Sequence, residues 1–160
     1  MEKLRDFYYQ ADDRITLFMR RNGILFLRIS LGIVFFWFGF LKFFPGLSPA
    51  DQIATETISK LTFGIIQPNV SIIILAVWET LIGIGLLSGK YLRITLLLLF
   101  TQMIGTMTPL ILFPSETFTQ FPFVPTLEGQ YIIKNLVLIS AGMVVGATVR
   151  GGRIVEETEN

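Results

Sequence analysis

Neither cysteine nor histidine occurs among the 160 residues. Their absence excludes disulfides, thiol redox chemistry, thiolate and imidazole ligation of metals or haem, and the Ser/His and Cys/His catalytic pairs. Charge is also scarce. Asp, Glu, Lys and Arg make up 16% of the chain and leave a net charge of +1, too little to draw nucleic acid or an anionic surface to the molecule as a whole. No Gly-rich phosphate loop, carboxylate metal cluster or nucleophile–base pair is present, so no catalytic residue and no metal ligand can be named. A self-contained enzyme is not indicated, and redox work would require a borrowed cofactor.

What is present is apolar. Hydrophobic residues make up 52% of the chain and the mean hydropathy is +0.64, values that suit a bilayer. A helix needs about 20 apolar residues to cross the hydrocarbon core, and four stretches reach or approach that length, at 22–44, 70–88, 91–113 and 127–149. Turn and helix-stopping residues bound them: Pro45 with Gly46, Pro68 with Asn69, Ser88 with Gly89, Pro114, Pro122 with Pro125, and Gly151 with Gly152. The expected fold is an all-α membrane protein, one domain over 1–160 built as a four-transmembrane-helix bundle.

The basic residues give the orientation. Lys3, Arg5, Arg14, Arg20 and Arg21 precede the first span, Lys90 and Arg93 mark the second turn, and Arg150 and Arg153 follow the fourth, whereas the other two connections hold only Lys60. The positive-inside rule then places both termini in the cytoplasm, with 150–160 as a cytoplasmic tail. Apolar residues recurring every three or four positions from Leu4 to Met19 predict an amphipathic helix over 1–21 on the cytoplasmic interface. A second one, over 49–64 and capped by Ser48, is expected on the periplasmic side with Ile53, Ile58, Leu61 and Phe63 toward the membrane. The aromatic, proline-rich stretch 113–125 reads as an ordered loop over the bundle mouth. Leu27-Arg28-Ile29-Ser30-Leu31 and Leu92-Arg93-Ile94-Thr95-Leu96 open the first and third spans alike, a hint of a parallel repeat.

Ionisable groups inside a bilayer are costly, which singles out Arg28, Lys42, Glu79 and Lys134. Counting 1.5 Å per residue from the outer ends puts Glu79 at a depth of about 13 Å, Lys134 at about 10 Å and Gln102 at about 16 Å. With Asn135 beside Lys134, one layer could hold all four. Its simplest role is to lock helix register; its functional role would be a pocket in which Lys134 donates to, and Glu79 takes a proton from, a carbonyl- or phenol-bearing lipid such as a quinone. Trp78 offers a stacking face there and Arg28 could reach Glu79 or a lipid phosphate, which makes Glu79, Lys134, Gln102, Asn135, Trp78 and Arg28 the candidate ligand-binding set. Lys42 reads as a residue snorkelling to the outer headgroups. Gly32, Gly39, Gly83, Gly85, Gly142 and Gly146 would allow close helix approach.

The run from Leu27-Arg28-Ile29 through Trp37-Phe38-Gly39-Phe40-Leu41-Lys42 to Phe43-Phe44-Pro45 resembles the first helix of DoxX-like membrane proteins, nearest to their YkgB/RclC branch. Glu79 with Gly83 and Gly85 resembles the second helix, Met107-Thr108-Pro109-Leu110 the third, and Glu128-Gly129-Gln130-Tyr131-Ile132-Ile133-Lys134-Asn135 the start of the fourth. The resemblance implies a four-helix protein of the bacterial inner membrane from a family linked to quinone-coupled sulfur oxidation and to oxidative or reactive-chlorine stress; the residues themselves lead to the expectation of no intrinsic cofactor and of a quinone as the ligand. The chain departs from that branch by a shorter loop after the first helix and by Asn135 where an acid commonly follows the lysine. The expected partners are membrane lipids and either a membrane or peripheral protein or further copies of the chain, with no nucleic acid. The leading expectation is a quinone-binding, non-catalytic subunit of a redox or stress-resistance system. An accessory subunit filling one face of a larger complex, and a small transporter, are the alternatives.

Overall fold

A computed structural model describes residues 2–48 and 51–152. In chain order the elements are α1 (Glu2–Leu41), α2 (Asp51–Leu61), α3 (Pro68–Ser88), α4 (Leu92–Met107), α5 (Pro109–Leu112), α6 (Pro114–Thr117), β1 (Phe118–Gln120), β2 (Val124–Pro125) and α7 (Leu127–Ala147). Four helical stretches are long and apolar enough to span a membrane, within α1, α3, α4 with α5, and α7. Each packs on its neighbours in sequence, and α7 closes the ring against α1, which gives an up-and-down four-helix bundle. Leu31 and Phe35 of α1, Ile82 and Leu86 of α3, Leu96, Leu99 and Met103 of α4, and Ala141 and Val145 of α7 fill the centre. The outer surface carries exposed Ile33, Trp37, Phe38, Val77, Leu81, Leu97, Ile104 and Val137. An apolar exterior around an apolar core is the distribution of an integral membrane bundle.

The expected separate helix over 1–21 does not exist as its own element. It continues without a break into the first span, so α1 is 40 residues long. No proline lies in it, and the one glycine near the expected joint, Gly23, weakens a helix by only about 1 kcal/mol. The second expected amphipathic helix is shorter than 49–64; its start at Pro49 lies outside the described residues, and Leu61 and Phe63 are exposed. The third span is divided. Pro109 cannot donate to the Gly105 carbonyl, which instead accepts from both the amide and the hydroxyl of Thr108, at 3.2 and 2.6 Å. The stretch expected to be a loop over 113–125 holds α6 and a two-stranded antiparallel hairpin. Thr126 closes it by donating to the Glu116 carbonyl at 2.7 Å while accepting the Gly129 amide at 3.1 Å as the N-cap of α7.

Glycines set the level of α1 against α3. A Cβ on Gly32 would meet Leu87, one on Gly83 would meet the Phe36 backbone, and one on Gly39 would lie 2.6 Å from the Thr80 amide. The two antiparallel backbones therefore touch along this line, and their contacts fix the register: Leu41 ends level with the middle of α3. About 15 Å of α3 rises above the end of α1. There α2 covers it, and Ser71 and Ala76 are fully buried. At the other end α3 stops near the level of Leu31, and α1 runs on past it.

Candidate functional site

On α3 the inward stripe is Ala76, Glu79, Ile82, Gly83 and Leu86, the three- to four-residue spacing of one helix face. Glu79 is thus a core position, 9% exposed. On α4 the equivalent stripe is Thr95, Leu96, Leu99, Gln102 and Met103. Because α1 ends at mid-depth, Lys42 lies one residue past its last turn, directed at the same layer.

The three side chains meet. Lys42 Nζ donates to Glu79 Oε2 at 2.7 Å and, at 3.4 Å, to the Phe38 carbonyl; Gln102 Nε2 donates to Glu79 Oε1 at 2.7 Å. Both charged side chains are about nine-tenths buried, so the pair is neutral as a unit and shielded from solvent. Gln102 is oriented by this contact, because an exchange of its amide atoms would face oxygen with oxygen. Its Oε1 is buried and has no hydrogen-bond partner among the described residues, which is also true of the Thr80 hydroxyl and of Asp51 Oδ1. An amide oxygen buried beside a carboxylate accepts a proton donor and nothing else.

The sequence placed Lys134 opposite Glu79, and the structure corrects this. Lys134 is exposed, with its ammonium 5.3 Å from the Tyr131 ring centroid, and Lys42 is the partner of Glu79. Two geometric causes combine. Lys134 lies two residues from the buried Ile132, about 200° around α7, and so faces outward. Snorkelling of Lys42 to the outer headgroups requires α1 to end level with the other spans, whereas α1 ends at the middle of α3. Asn135 also leaves the layer's centre; its amide donates to Thr106 at 3.3 Å and ties α7 to α4. Arg28 does not reach Glu79. Its guanidinium donates to the Leu86 carbonyl at 2.8 Å and packs on Gly89, where it caps the end of α3. Gly89 is left-handed, with φ of 70°, and both that conformation and the guanidinium exclude a side chain. Trp78 is beside the layer: Nε1 donates to the Leu98 carbonyl at 3.1 Å, one turn before Gln102. The similar openings of the first and third spans part company here, since Arg93 is exposed while Arg28 is a cap.

Two surface grooves are present, one beside the layer and one away from it. One, of about 300 Å³, is an outward-facing groove between α3 and α4 lined by Ile73, Ile74, Val77, Trp78, Leu81 and Leu98. The other, of about 340 Å³, lies at the α2 end of the bundle among Thr55, Glu56, Ser59, Lys60, Pro68 and Phe113. Among the described residues no group of three or more acidic side chains could hold a metal ion.

The sequence model of the DoxX family matches residues 23–113, which include α1 from Gly23, α2, α3, α4 and α5, and with them Lys42, Glu79 and Gln102. No curated protein and no solved structure matches the chain.

Proposed function

The chain belongs to the DoxX family, and from that footing we propose that it is a multi-pass protein of the bacterial inner membrane that binds the reduced form of a quinone at the Lys42–Glu79–Gln102 centre. The basic residues at the terminal ends and at Lys90 and Arg93 support cytoplasmic termini. The YkgB/RclC branch and a role in redox or oxidative-stress resistance belong to the same proposal and rest on the motif resemblance.

One observation carries the ligand reading: the buried, unpartnered Gln102 Oε1 beside a carboxylate that is already held on both oxygens. It fits a hydroxyl donor, hence a quinol more than a quinone, whose carbonyls only accept. The apolar groove against Trp78 and Leu98 supports the same reading by giving an aliphatic tail a bed one turn from Gln102. When bound, the ligand would supply two-electron redox chemistry. The protein's share is to hold a hydroxyl at Gln102, to keep water away, and to place the Glu79 carboxyl beside Lys42 as the nearest proton acceptor. The test is titration of a short-tailed quinol, and of its quinone, into the protein in nanodiscs, followed by Trp78 fluorescence. Tighter binding of the quinol, lost in Gln102→Leu, is expected; equal binding to both proteins defeats the reading.

The accessory-subunit reading has its own support in α1, whose first half packs on nothing else described.

A further inference from the structure

Every seventh residue on one stripe of α1 is a cation or an aromatic: Phe7, Arg14, Arg21, Arg28, Phe35 and Lys42. Seven residues fall about 20° short of two full turns, so these side chains share one slowly drifting face. The alternate positions of that face are Ala11, Phe18, Leu25, Gly32 and Gly39, small or apolar throughout.

The upper half of the stripe displays what such a face receives. A second helix, α3, closes on Gly32 and Gly39 and presents an oxygen to each cation, Leu86 O to Arg28 at 2.8 Å and Glu79 Oε2 to Lys42 at 2.7 Å. The lower half repeats the pattern without the helix. Arg14 and Arg21 have no acidic residue three or four positions away on α1, and neither forms an ion pair with a described residue. Ile15 and Phe18 are 57% exposed, Phe26 56% and Leu25 45%. Apolar side chains in that number, interleaved with unpaired guanidinium groups, mark a protein interface.

We propose that residues 7–26 of α1 are the docking face for an acidic amphipathic helix of a partner protein at the terminal end of the bundle. Its carboxylates, spaced by seven, would meet Arg14 and Arg21, and its aliphatic residues would cover Ala11, Phe18 and Leu25. A second copy is the wrong occupant, because two copies in one membrane are parallel and bring Arg14 to Arg14 and Arg21 to Arg21. The chain's own Glu156, Glu157 and Glu159 lie one and two residues apart, which does not match a seven-residue ladder.

The test uses the full chain in phosphatidylcholine nanodiscs and a fluorescent helical peptide of about three heptads, Glu at each seventh position and Leu or Ala between, against a scrambled peptide of the same composition. The striped peptide should bind at least about tenfold more tightly than the scrambled one. The double variant Arg14→Glu, Arg21→Glu should lose that binding, and a peptide with Lys in place of Glu should regain it on the variant. Both substitutions lie outside the bundle, and an unchanged circular dichroism spectrum verifies the fold. Equal binding of the scrambled peptide, or an unaffected double variant, overturns the proposal. So does peptide binding that appears only after residues 153–160 are removed, which makes the tail the occupant, and so does a dimer by light scattering that the double variant disperses, which makes it a second copy.

Discussion

Glu79→Gln and Lys42→Met, alone and combined, form the most informative perturbation of the bundle. The two groups are 2.7 Å apart and 8% and 11% exposed. A single substitution leaves one charge buried without its counter-charge, which costs about 3–5 kcal/mol. Gln at 79 keeps the volume and can still accept the Gln102 amide, so the loss in that variant comes from the stranded Lys42. Removing both charges returns a neutral layer, and replacing a buried pair by neutral groups of similar volume is often neutral or stabilising. The double variant should therefore fall within about 1 kcal/mol of the parent, and the coupling energy should be at least about 5 kcal/mol. The assay is reversible unfolding in mixed micelles with increasing dodecyl sulfate, followed by circular dichroism and the fluorescence of Trp37 and Trp78. Single-variant losses below about 1 kcal/mol, or losses that add in the double variant, would refute a shielded and mutually dependent pair.

Three further outcomes are expected. Gly39→Val forces a Cβ to within 2.7 Å of the Glu79 Cβ and 2.6 Å of the Thr80 amide; it should cost about 1–3 kcal/mol by overpacking in the same unfolding assay. Arg28→Met removes a charged donor from the Leu86 carbonyl, at a cost of about 1.5–3 kcal/mol, and should raise hydrogen exchange at 86–92 while leaving 68–80 unchanged. Trp78→Phe keeps the ring but loses the bond to Leu98, and should cost about 0.6–1.7 kcal/mol in the same unfolding assay.

The spans were legible because their stops are local. Pro68, Gly89 and Pro114 end or begin helices wherever the rest of the chain lies, and the structure places α3, α4 with α5, and α7 within two or three residues of the expected ranges. The partner of Glu79 was not legible by depth counting, because the vertical offset of α1 is set by contacts between Gly32, Gly39 and Gly83 and residues far away in sequence. A signal was nevertheless there. Arg28, Gly32, Phe35, Gly39 and Lys42 fall on one stripe at alternating steps of four and three, and a stripe that carries both the close-approach glycines and Lys42 points Lys42 at the helix those glycines touch. Facing could likewise have been read for Lys134, since Gly129, Ile132 and Val145 define the inner side of α7 and Lys134 lies opposite. Gly129 itself is dictated by packing, for a side chain there would collide with the Thr117 carbonyl.

The central claim, that Gln102 Oε1 receives a ligand hydroxyl, is tested most directly by infrared difference spectroscopy of protein carrying ¹³C in its glutamine side-chain carbonyls. Addition of the quinol should shift one glutamine carbonyl band to lower frequency, a shift missing in Gln102→Leu and missing when the dimethyl ether of the same quinol is added. A quinol that binds with no glutamine band displaced would contradict the account.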